Sequence, residues 1–107
     1  MVLTLEDRYY VYLFTRKLPC TLKLRFALDS FLNMIDFTEE EIKKYAIRIV
    51  PQQSKFECND EKVTFEYKDV PEEVTEAVRE FVISMDTEEN DKNMFIKDMV
   101  KYLKKVL

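Results

Sequence analysis

Glycine is absent from this chain. Loops that cradle phosphate and the dinucleotide-binding fingerprint both need backbone that approaches the ligand closely, and glycine is what permits it. Both are therefore excluded. A tight two-residue hairpin turn also favours glycine, so any hairpin here needs a longer connection.

Histidine is absent as well, along with tryptophan. That removes the usual general base near neutral pH and the commonest metal ligand. Two cysteines, Cys20 and Cys58, cannot complete a four-ligand zinc site. They read as reduced core or surface thiols, and a disulfide would require the fold to juxtapose them. No cofactor and no metal are expected. At 107 residues, 47% hydrophobic and 36% charged, the chain reads as one globular domain. No apolar run approaches the roughly 18 residues of a membrane span. Glu6 and Asp7 stand near the start and no small-residue cleavage site follows, so a cytosolic protein without a membrane partner is expected.

Cap chemistry and periodicity outline the elements. Thr4 and Asp7 form a weak capping box before a tyrosine-rich helix over about residues 5–17. Pro19 interrupts, and Thr21 caps a second helix running to Ile35. Its apolar face is Leu24, Ala27, Leu28, Phe31, Met34 and Ile35. In "DFTEEEIKKY", residues 36–45, Thr38 and Glu41 form a full capping box and Phe37 and Ile42 a hydrophobic staple. Glu39 and Glu40 complement the positive end of the helix dipole. The three glutamates read as a helix start, not a metal site.

The middle reads as strands: "AIRIV" at 46–50, "KFEC" at 55–58 and "KVTFEY" at 62–67. The last alternates, with Val63, Phe65 and Tyr67 on one face. A small antiparallel hairpin covered by helices is expected. Asp69 is the expected cap of a fourth helix, whose stripe is Val74, Ala77, Val78, Phe81, Val82 and Met85. Thr87 is expected to open the last helix, with Phe95, Ile96, Met99, Tyr102, Leu103 and Val106 as its stripe. The fold class is α+β: four or five helices on a two- or three-stranded antiparallel sheet.

Charge is uneven. Residues 57–91 hold thirteen acids against three bases, a net of −10 within a total of −4. Three readings fit. The acids are a solvated helix face with dipole-favoured N-termini, or they are an acidic surface that docks on a basic partner, or they bind cations weakly. The second reading singles out Asp60, Glu61, Glu66, Asp69, Glu72, Glu73, Glu76 and Glu80 as protein-binding residues. It includes a surface that imitates nucleic-acid phosphates and blocks a basic, nucleic-acid-binding protein. The loop "CNDEK" lacks the glycine and ligand spacing of a calcium loop. Direct nucleic-acid binding would need a basic footprint. Arg16, Lys17, Lys23, Arg25, Lys43 and Lys44 could form one or could be the polar faces of two helices. The tyrosines of the first helix are core residues or an exposed aromatic patch. The hydroxyl and thiol nucleophiles Cys20, Cys58, Ser30, Ser54 and Ser84 have no histidine base, so catalysis is not expected.

The stretches "LTLEDR", "TLKLRFAL", "FTEEEIKKY", "VTFEY" and "VPEEVTEAVREFV" occur in that order. This resembles small uncharacterised proteins of bacteriophages and prophages of low-GC Gram-positive bacteria. Those proteins carry tryptophan where Phe65 stands here, and the middle of this chain is longer and more acidic. The resemblance covers most of the chain and implies a phage accessory protein that binds another protein, as a monomer or homodimer, in the host cytoplasm. It implies no site residue. The alternatives are a virion assembly protein that self-associates through the first helix, and a small DNA-binding regulator.

Overall fold

A computed structural model describes residues 1–19, 21–50, 55–85, 87 and 92–107. The fold is α+β. The described residues form β1 (Val2–Thr4), α1 (Leu5–Thr15), α2 (Leu22–Ile35), α3 (Glu39–Lys44), β2 (Arg48–Val50), β3 (Lys55–Glu57), β4 (Thr64–Glu66), α4 (Glu72–Met85) and α5 (Met94–Leu103). A 3₁₀ turn, Lys104–Val106, extends α5.

Side-chain caps start four of the helices. Thr4 and Asp7 exchange backbone and side-chain hydrogen bonds of 3.1 Å at the head of α1. Thr38 and Glu41 do the same for α3, also at 3.1 Å. Thr21 Oγ1 accepts from the Leu24 N–H of α2. Each oxygen satisfies a donor the helix itself leaves orphaned. The last helix starts later than expected: it is capped by Asn93, whose Oδ1 accepts from Phe95 and Ile96, and not by Thr87. Asp69 does not cap α4 either. It sits at φ 63°, in the left-handed region that aspartate tolerates better than most residues, and turns the chain between β4 and α4. The carbonyl of Pro71 receives the first bonds of α4, from Val74 and Thr75.

The absence of glycine is met in a second place. Ala46 has φ 49°, just past the end of α3. The Ile47 N–H reaches back to the Ile42 carbonyl at 3.0 Å. That is a Schellman closure with alanine in the position glycine usually fills.

The strand pairing departs from the expected hairpin. β3 pairs antiparallel with β2, and β4 pairs antiparallel with β1, so the strands make two separate two-stranded sheets. Leu3 faces Phe65 across the second pair, and the Tyr67 N–H extends that ladder to the Met1 carbonyl at 2.8 Å. β1 claims the edge of β4 because it runs directly into α1: Thr4 is both its last residue and the cap of the helix.

Two cores result. α1, α2, α4 and α5 enclose the larger, where Val11, Phe14, Leu28, Phe31, Ile35, Val74, Val78, Val82, Met99 and Leu103 are buried. These are the stripes the 3–4 spacing marks. Burial of such side chains, at about 1.5–3 kcal/mol each, is the main force holding the helices together. The smaller core, Leu5, Ile47 and Phe56 with Tyr9, Phe37, Val63 and Phe65 around it, lies under the sheets. α1 serves both, which is why it is apolar on nearly all sides. Its tyrosines are half-buried, with Tyr9 stacked on Phe56 at 5.2 Å and Tyr10 on Tyr102 at 4.6 Å.

Candidate protein-binding surface

α4 forms because its apolar residues fall on one side and Pro71 ends the preceding extended stretch. Its other side is mostly acidic, with Arg79 as its one base. Glu72, Glu73, Glu76 and Glu80 are all exposed, and none makes an ion pair among the described residues. Glu73, Glu76 and Glu80 line a groove of about 200 Å³ with Ala77 of the same helix and Thr21, Lys23 and Leu24 at the head of α2. On the neighbouring helix, Leu22 and Phe26 lie one turn apart and are 76% and 68% exposed.

The other sequence-selected acids lie elsewhere. Asp60 shapes a turn after β3: its Oδ1 accepts from the Lys62 and Val63 N–H groups at 3.2 and 3.1 Å. Glu61 lines a depression with Arg48, Lys55 and Glu57, a surface of mixed sign. Glu66 is exposed on β4, opposite Val2. Asp69 is in the turn already described. Asp86, Glu88, Glu89 and Asp91 lie outside the described residues. The acids contiguous in sequence therefore divide: only those of α4 share one element, and three of them, Glu73, Glu76 and Glu80, share one groove.

Among the described residues the nucleophiles lie on different segments: Ser30 on α2, Ser84 on α4 and Cys58 after β3. Ser84 Oγ donates to the Phe81 carbonyl at 2.8 Å, and Ser30 is exposed on α2. Cys58 is half-buried, which pushes its thiol above the usual cysteine range, away from the reactive thiolate. Cys20 and Ser54 lie outside the described residues. No group of three or more Cys, Asp or Glu among the described residues is placed to hold a metal ion, and no helix among them is long and apolar enough to cross a membrane.

Arg8 is the residue that sequence reasoning passed over. It is 3% exposed. Its Nε donates to the Ile35 carbonyl at 3.0 Å and its Nη2 to the Asp36 carbonyl at 2.8 Å, so it closes the C-terminus of α2. The same guanidinium grips Glu41 with both terminal nitrogens. Phe37 and Phe65 lie against it, each with its ring centroid 4.7 Å from the guanidinium carbon. Glu41 thus caps α3 and anchors Arg8 at once, and the Arg8 hydrogen bonds hold its carboxyl below the usual range. The signal was present: Arg8 shares the 3–4 spacing of Leu5, Val11 and Thr15, which are all buried, so it had to enter the core with partners.

Comparison with protein-family models, with curated proteins and with solved structures gives no match.

Proposed function

We propose that this chain is a non-catalytic binding module that docks the acidic side of α4 on a basic surface of another protein. The observation that carries this reading is the set of four exposed carboxylates, Glu72, Glu73, Glu76 and Glu80, without ion-pair partners among the described residues. Helix stability does not account for the pattern. Glu72 and Glu73 benefit from the first-turn dipole, but Glu76 and Glu80 lie beyond it. Glu72, Glu76 and Glu80 repeat at four-residue spacing, and such like-charge pairs destabilise a helix by about 0.2–0.5 kcal/mol each. The exposed Leu22 and Phe26 on the neighbouring helix add apolar area of the kind interface centres use.

The partner is a protein whose lysines and arginines ordinarily neutralise phosphates, with carboxylates taking the place of nucleic acid. In the phage or prophage setting the sequence resembles, such contact would block a host or defence enzyme in the host cytoplasm. The test is capture from a lysate of a low-GC Gram-positive bacterium, using wild type and a variant with all four glutamates changed to lysine. Proteins enriched by wild type and lost with the variant support the reading. An identical captured set with both contradicts it.

A further inference from the structure

We infer that a second site, independent of α4, takes a small aromatic carboxylate. It is a pocket of about 320 Å³ between α1, the C-terminus of α2 and β2, lined by Arg8, Tyr9, Tyr12, Arg16, Phe37 and Ile49 among others. That volume stands at the small end of the range for small-molecule sites, and mostly apolar walls with a few convergent polar groups are their usual make-up.

The pocket is preformed. Arg8 ties its α1 wall to the Ile35 and Asp36 carbonyls and, through Glu41, to α3. A wall held in this way loses little freedom when a ligand enters. Three of its residues are aromatic, and flat rings stack on such walls in offset or edge-on arrangements.

The polar groups of the pocket decide the ligand's head. Arg8 is spent on Glu41 and the two carbonyls. Arg16 is exposed and makes no ion pair among the described residues; its guanidinium carbon lies 5.7 Å from the Tyr12 ring centroid. Its fork of donors is open to a bidentate acceptor. The side chains of Tyr9 and Tyr12 likewise make no hydrogen bond among the described residues. The Tyr9 and Tyr12 hydroxyls can turn to donate or accept, and the one anionic acceptor in the lining is Asp36, whose Oδ1 takes the Phe37 N–H at 2.9 Å. Donors are thus in excess, and a carboxylate offers only acceptors.

The probes are naphthoate and its uncharged counterpart naphthalenemethanol, titrated into ¹⁵N-labelled protein. Naphthoate shifts the amides of Tyr9, Arg16 and Ile49 saturably. Arg16→Ala weakens naphthoate about tenfold, the scale of a charged hydrogen bond, and leaves naphthalenemethanol unchanged. Asp36→Asn removes the competing acceptor charge and tightens naphthoate. The inference is overturned by absence of saturable shifts at millimolar probe, by equal weakening of both probes in Arg16→Ala, or by naphthoate affinity that Asp36→Asn leaves the same or lowers.

Discussion

Replacing Arg8 by methionine would leave the Ile35 and Asp36 carbonyls without their side-chain donor and the Glu41 carboxylate with only the Thr38 N–H. Removing one member of a buried ion pair destabilises by about 3–5 kcal/mol. Urea unfolding of Arg8→Met is expected to show a loss of that size. Arg8→Lys recovers little of it, because an ammonium cannot make the two-pronged contact. In a double-mutant cycle with Glu41→Gln, the two losses fall short of adding, because the residues share one interaction. Glu41 also sets an acid limit. Its folded pKa is lowered, so its contribution is present above the unfolded value of about 4.3 and is lost as pH falls through the folded value. The stability gap between wild type and Glu41→Gln is therefore expected to be full near neutrality and to shrink below about pH 4, read from urea midpoints. The capping role of Glu41 was legible because it depends on three neighbouring positions. Its grip on Arg8 was not, because that contact spans 33 residues.

At the scale of elements, α3 ends on Ala46 at φ 49°. A non-glycine residue there is strained by roughly 1–2 kcal/mol, and glycine returns about 0.4–1 of that through the freer unfolded chain. Ala46→Gly is expected to stabilise the protein by about 0.5–1 kcal/mol in thermal unfolding. α4 offers the opposite comparison. Glu76→Lys turns three repulsive pairs, with Glu72, Glu73 and Glu80, into attractive ones and one attractive pair, with Arg79, into a repulsive one, and should raise stability slightly, by a few tenths of a kcal/mol per net pair gained. If it lowers stability, the acids have a structural role that the binding account denies them. Thr4, Thr21 and Thr38 were readable as caps because each is a lone cap residue before an apolar pattern. Residues 87–93, "TEENDKN", offer several cap residues in a row, so local chemistry could not choose Asn93 over Thr87. Asp69 failed as a cap because the chain needed a left-handed turn there and has no glycine to make it.

For the whole molecule, the helical core was legible because each apolar stripe repeats over three or more turns. Strand pairing was not: the alternation of "KVTFEY" marks β4 as a strand but names no partner, β1 is three residues long, too short to show a period, and their partnership follows from where α1 places β1. The candidate surface was half legible for a related reason. Charge summed along residues 57–91 marks a segment, whereas a partner meets charge in space. The fold sends Glu61 toward Arg48 and Lys55 and leaves the unpaired carboxylates on α4. On the proposed function, those carboxylates make the contact with the partner. The most direct measurement is the affinity of the captured partner for wild type and for the variant with Glu72, Glu73, Glu76 and Glu80 all changed to glutamine, across a range of salt. Wild-type affinity is expected to fall as salt rises, and the variant to bind more weakly with a flatter salt dependence. Equal affinities with equal salt dependence would contradict it.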